Sequence, residues 1–120
     1  SIICHGGLSE IVLEAVHKFY IDTEISCRVI LLSKLNPLDN NYLKEVLAKN
    51  GPIITVEESS KLFGLGSEIG AILNEDTEFK KRKFTRISSK DDVIPSSVEK
   101  ENKILISSEI ILENLNKIFQ

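Results

Sequence analysis

The 120-residue chain contains no methionine and no tryptophan, and only two cysteines, two histidines and three prolines. Each scarcity excludes something. Cys4 and Cys27 lie inside apolar runs rather than in a paired ligand spacing, so neither a zinc site nor a disulfide framework is encoded. The plain reading is two buried, reduced thiols in a cytoplasmic protein. His5 and His17 have no metal spacing either, and no metal is expected. No apolar run approaches the roughly 20 residues of a bilayer-spanning helix. No basic start followed by an apolar stretch resembles a signal peptide, so no membrane partner is expected. Lysine plus arginine total 15 against 18 aspartates and glutamates, a formal net charge of -3. That sign is wrong for a protein that neutralises phosphates, and no nucleic-acid partner is expected. The missing methionine fits initiator removal, a trimmed tag or an excised domain, and an excised domain can inherit a fold without its active site.

What is present is a globular composition. Hydrophobic residues make up 42% of the chain, enough to exclude disorder. Residues 1–120 read as one domain, the natural size for a single core. The chain opens on a short β-branched run, Ser1–Cys4, ended by Gly6 and Gly7. A helix follows over Ser9–Tyr20, with Ile11, Ala15 and Phe19 on one row and Val12, Val16 and Tyr20 on the next. Ser9 is its expected N-cap, and Glu14 and Lys18 form an outward i, i+4 pair. Cys27–Leu32 reads as a strand with little alternation, the pattern of a strand covered on both faces.

Asn36-Pro37-Leu38-Asp39 is a turn, and Asp39 is placed to cap a helix over Asn40–Lys49. Asn50-Gly51-Pro52 stops that helix. Ile53–Val56 is the third strand, with Glu57 and Glu58 at its end. A loop holding Gly64 and Gly66 leads into a helix over Ser67–Leu73, where Gly70 permits close packing. The basic run Lys80–Lys83 opens a fourth strand through Phe84 and Ile87. Residues 88–101 read as a loop, Lys103–Ile106 as a short strand or a turn, and Ser108–Phe119 as the last helix. Strands alternating with helices at this spacing predict an α/β fold: three layers, α/β/α, around a mostly parallel sheet of about five strands.

The candidates for chemistry are few. His5-Gly6-Gly7 stands at a strand-to-helix junction, where open α/β sheets usually bind ligands. Yet the three spaced glycines of a dinucleotide site and the lysine-serine pair of a phosphate loop are both missing. Gly64-Leu65-Gly66 also precedes a helix, but Glu68 in the first turn would repel an anion. A tight turn is the plain reading of both glycine pairs. Glu57 and Glu58 are adjacent in a strand, so they point to opposite faces and cannot converge as an acid–base pair. One of them is placed to face a neighbouring subunit or cap a nearby helix. Lys80–Lys83 is short, lacks interleaved aromatics and reads as a solvated strand start. From these residues alone no catalytic, cofactor-binding or metal-binding set emerges.

In order, the pieces resemble the C-terminal domain of the transketolase-like, thiamine-diphosphate-dependent enzymes. These are transketolase, 1-deoxyxylulose-5-phosphate synthase and the E1 β subunit of 2-oxo acid dehydrogenases. The resemblance rests on Ile2–Gly6 with Glu14-Ala15, and on Val29–Leu32 running to Pro37-Leu38-Asp39. It continues through Ile54–Glu58, Gly64–Ile69 and Asp92-Val93-Ile94-Pro95. It covers nearly the whole chain. Ser33 stands where many members carry arginine, and Phe63 where many carry a further glycine, which leaves the branch of the family open. The resemblance implies a non-catalytic assembly domain within a larger enzyme that transfers two-carbon or acyl units. Thiamine diphosphate and magnesium would be held by its other domains or subunits. It further implies a dimer in the full enzyme and, in the E1 branch, an acyltransferase core as partner. Gly6, Pro37, Asp39, Glu57, Glu58, Gly64 and Gly66 are carried over as turn and interface positions only. Two alternatives stand beside it: a small-ligand or phosphate-binding module using His5–Gly7 with the Gly64–Gly66 turn, and a pure scaffolding module.

Overall fold

The computed structural model describes residues 1–90, 97, 99 and 105–120. Strand β1 (Ile2–His5) runs through a single 3-10 turn (Gly6–Leu8) into helix α1 (Ser9–Thr23). Strand β2 (Val29–Leu32), helix α2 (Asn40–Val46), strand β3 (Ile53–Glu57), helix α3 (Leu65–Asn74), strand β4 (Phe84–Ser88) and helix α4 (Ser108–Phe119) follow. The strands form a four-stranded sheet in the order β2-β1-β3-β4, with every neighbouring pair parallel. The α/β expectation holds, and so does the parallel sheet. Of the candidate strand at 103–106, Lys103 and Ile104 lie outside the described residues, as does the Asp92–Pro95 motif; Leu105 and Ile106 form no strand.

Alternation along the strands builds two cores. Ile2, Cys4, Ile54, Val56 and Ile87 face Val12, Ala15 and Phe19 of α1 and Ile111 and Leu115 of α4. Ile3, Ile30, Leu32 and Ile53 face the opposite way, against Leu43 of α2 and Ile69 and Leu73 of α3. The sheet is thus the middle of three layers. Full burial of a side chain such as Phe19, Leu43 or Ile69 contributes about 1.5–3 kcal/mol each. Gly70 lets α3 lie directly on β4, since a Cβ there would stand 2.8 Å from the Phe84 ring.

Several local expectations are corrected. Ser9 is not a cap but the first helical residue of α1; Leu8 holds the cap position with no side-chain bond, because the 3-10 turn already leads in. Tyr20 is exposed, since the buried stripe runs through Val12, Ala15 and Phe19. Strand β2 begins at Val29 rather than Cys27, and Cys27 is only half-buried. Nor is β2 covered on both faces: it is the sheet edge, and Leu31 is exposed. Helix α2 stops at Val46, because Leu47 is extended and the Ala48 N–H turns to the Ser1 hydroxyl at 2.9 Å. The basic run precedes β4 instead of opening it, and one member is no solvated charge. The Arg82 guanidinium donates to the carbonyls of Gly51 and Ala48, both at 2.9 Å, and stacks over Phe79. Asp39 does cap α2, accepting the Tyr42 N–H at 2.9 Å, and Glu14 pairs with Lys18.

Candidate functional site

The strand order fixes where a site can form. From β1 the chain crosses to β2 on one side, then returns past β1 to β3 on the other. The carboxyl ends of β1 and β3 therefore flank the point where the winding reverses, the usual ligand crevice of open α/β sheets. Two loops meet that description: the turn after His5, and the Glu58–Gly64 loop before α3.

The second loop is built around one carboxylate. Glu57 closes β3 and is fully buried. Its Oε2 accepts the Gly66 N–H at 3.0 Å and the Ser59 hydroxyl at 3.0 Å. Gly66 lies in the first turn of α3, whose N-cap Gly64 has no side chain to offer. Glu57 thus supplies the cap from a neighbouring strand, placing negative charge where the helix dipole favours it. The approach leaves no room for side chains. A Cβ on Gly66 would stand 2.6 Å from Thr55 Oγ1 and 2.8 Å from Glu57 Oε1, and a Cβ on Gly64 would stand 2.7 Å from the Ser60 carbonyl. The Arg86 guanidinium ties down the outer side, donating to the Ser67 hydroxyl at 2.6 Å and to the Lys61 carbonyl at 3.0 Å. Glu58, one residue on, is exposed. The two adjacent acids therefore take opposite environments, because β3, buried along its whole length, ends at Glu57 and Glu58 lies in the bend beyond it.

The first loop is the reverse. Gly6 and Gly7 are exposed, and a Cβ on either would meet nothing within 4 Å. Gly6 adopts φ +40, a left-handed conformation. His5 is half-buried at the strand end. His17 is exposed on α1, away from this end. Pro37 is exposed and follows a cis peptide bond, and Asp39 two residues on is occupied as a cap. So the structure gathers Glu57, Gly64 and Gly66 into one unit, sets Glu58 beside it facing out, and leaves Gly6, Pro37 and Asp39 apart.

Burial pushes both the Cys4 and the Cys27 thiol up, which makes neither a ready nucleophile. Among the described residues no cluster of three or more His, Cys, Asp or Glu side chains could hold a metal ion, and no helix is long and apolar enough to cross a membrane. Phe63 stands beside the Gly64–Gly66 turn, where no sequence pattern marks its conformation. It is fully exposed and adopts φ +56, a conformation glycine takes without strain.

Comparison with known proteins agrees with this geometry. The family described as "Transketolase, C-terminal domain" matches residues 1–111. The chain is 29% identical to the pyruvate dehydrogenase E1 component subunit beta of Gracilaria tenuistipitata over 98% of its own length and 36% of the relative. For the same subunit of Rickettsia conorii the figures are 29%, 83% and 31%. It is also 29% identical to the 1-deoxy-D-xylulose-5-phosphate synthase of Bacillus mycoides, over 63% of the chain and 12% of that enzyme. The chain therefore spans 31% and 36% of the length of the two dehydrogenase subunits and 12% of that of the synthase. By this match over nearly its whole length, the chain, with its parallel α/β sheet, belongs to the transketolase C-terminal domain family.

Proposed function

We propose that residues 1–120 are the C-terminal assembly domain of a larger thiamine-diphosphate-dependent enzyme, an E1 β subunit of a 2-oxo acid dehydrogenase. The observation that carries this is coverage: the pyruvate dehydrogenase subunit aligns over 98% of the chain, the synthase over 63%. On this reading the domain contributes to a dimer, Glu58 and the Glu57–Gly66 turn stand at or beside an interface, and an acyltransferase core is a further partner. The cytoplasmic setting belongs to the same proposal, although a Dictyostelium discoideum relative is named as mitochondrial.

Thiamine diphosphate and magnesium would be held by the other domains or subunits. Supporting this, one of the two helix starts beside the crevice, that of α3, is already filled by Glu57.

The test is an assay of the complete natural protein, with any separately encoded neighbour, for thiamine-diphosphate-dependent decarboxylation of 2-oxo acids. Turnover is expected. Stoichiometric binding of thiamine diphosphate by residues 1–120 without the remainder would overturn the assignment of the cofactor to other domains. A second reading, a small-ligand or phosphate-binding module, has one observation on its side: the open space around Gly6 and Gly7. It requires Gly7→Leu, at a position with open space and no left-handed backbone, to abolish ligand binding at unchanged stability.

A further inference from the structure

On the α2–α3 side of the sheet, the end of α3 and the start of β4 frame a pocket of about 320 Å³. Its lining shares no residue with the Glu57–Gly66 turn. Ile53 and Phe84, directly paired across β3 and β4, line it together with Leu73 and Phe79. All four belong to the core on this side, so packing holds the apolar walls in place. Gly70 keeps α3 bare where it passes over the Phe84 ring, since a side chain there would collide with that ring.

The polar part of the lining has one sign. It consists of Asn74, Lys80 and Arg82, with no carboxylate among them. Arg82 is fixed: its Nε, Nη1 and Nη2 donate to the carbonyls of Gly51, Ala48 and Asn50 at 2.9, 2.9 and 3.3 Å. Those bonds engage three of the five guanidinium N–H groups and leave two for another acceptor. Every one of these partners is neutral. Among the described residues, ion pairs join Lys18 to Glu14, Lys44 to Asp76 and Lys117 to Glu113, and none reaches Arg82 or Lys80. Burial works against the charge on Arg82, which Glu78 favours from beyond ion-pair distance. A half-buried cation with neutral partners lacks a counter-charge, and the exposed Lys80 ammonium stands beside it on the same rim. Apolar walls set by packing, with a few fixed polar groups at the mouth, are the make-up of a small-molecule site. The walls accept an apolar body, and the rim accepts an anion that the two remaining N–H groups can grip side by side.

We propose that this pocket binds a small organic carboxylate, its apolar body against Leu73, Phe79 and Phe84 and its carboxylate on Lys80 and Arg82. The site goes beyond the thiamine-enzyme reading and does not rest on it. It also gives the basic run Lys80–Lys83 a purpose that the turn at Glu57 does not.

The test titrates the complete natural protein with hydrocinnamate, read by calorimetry and by saturation-transfer NMR. Saturable binding with a Kd of about 1 mM is expected for a ligand of this size. Acetate lacks the body and hydrocinnamyl alcohol lacks the charge, so each should bind about tenfold more weakly or less. Lys80→Glu should weaken the acid about tenfold and leave the alcohol unchanged, a split that loss of folding would not produce. Asn74→Trp, at the exposed end of α3, should block both by filling the mouth. Equal affinity for acid and alcohol, or preference for phenyl phosphate over the acid, would overturn the carboxylate. Acid binding unchanged in both variants would place the acid elsewhere in the protein and overturn the site, as would no saturation at about 10 mM.

Discussion

Two glycine pairs stand before two helices, and from the sequence they look alike. Gly6-Gly7 leads into α1 and Gly64-Leu65-Gly66 into α3. The structure gives them opposite reasons to exist. Gly6 is held by its own backbone, at φ +40 with empty space where a side chain would go. Gly64 and Gly66 have ordinary backbone conformations for their places; they are small because Glu57, Thr55 and the Ser60 carbonyl press against them. One pair answers to conformation and the other to contact, so the same substitution should act differently at each.

The largest expected effect is at Gly66. Gly66→Ala puts a methyl group 2.6 Å from Thr55 Oγ1 and 2.8 Å from Glu57 Oε1, both fully enclosed. Something must move, and Glu57 moving takes the cap from the Gly66 N–H. We expect a loss of about 3 kcal/mol, from overpacking and from disturbing a buried carboxylate. Urea denaturation of the complete protein would read it. Glu57→Ala removes the cap but makes room, and should cost about 2 kcal/mol. The decisive number is their coupling. If the clash with Glu57 is the cause, the double variant should lose clearly less than the sum of the single changes. Strict additivity would sever the pair and leave Gly66 explained by Thr55 alone.

At the other pair the effects are smaller and unequal. Gly6→Ala meets no atom but must hold a left-handed backbone, costing about 1 kcal/mol. Gly7→Ala meets neither obstacle and should change stability by less than about 0.5 kcal/mol. Equal losses at both would mean that the turn is held by something other than conformation. Phe63 sharpens the contrast from the opposite direction. It occupies φ +56 with its ring wholly in solvent, so Phe63→Gly relieves strain and loses no packing. After the flexibility that glycine adds to the unfolded chain, a gain of about 0.5 kcal/mol is expected.

These contrasts mark what the chain discloses in one dimension. The strongly patterned elements were legible: α4 falls at Ser108–Phe119 as read, and β3 ends one residue beyond expectation. Asp39 was legible as a cap because its partner is only three residues away. Glu57 was legible as one of two candidate caps, but not the choice between it and Glu58, since its partner lies nine residues on and depends on how α3 crosses β3. The role of Arg82 was hidden altogether. Its acceptors lie 31 to 34 residues back, so a basic run looked like solvated charge. The edge position of β2 was equally invisible, because strand order is a property of the sheet. Local chemistry is written locally, and the candidate turn is long-range in its decisive contact.

The smallest effect concerns the surface carboxylates, which differ from Glu57 in facing water. Asp76 accepts from Lys44 at 2.9 Å and is held below its ordinary range, chiefly by that bond and then by the Glu78 N–H. Glu14 and Glu113 are lowered in the same way by Lys18 and Lys117, each four residues on. A carboxylate whose folded pKa lies below its unfolded one stabilises the fold above the unfolded value. That contribution is lost as the pH falls through the folded value. The stability these pairs supply should therefore be complete at neutral pH and disappear on acidification below about pH 4. All three are solvent-screened, so the slope should be shallow and should flatten further in 1 M salt. Asp76→Asn should remove part of it, read as a smaller shift in urea midpoint between pH 6 and pH 3. An unchanged slope in that variant would mean that the Lys44 contact contributes nothing to the fold. The acid sensitivity would then have to come from other groups, the surface carboxylates Glu14 and Glu113 among them.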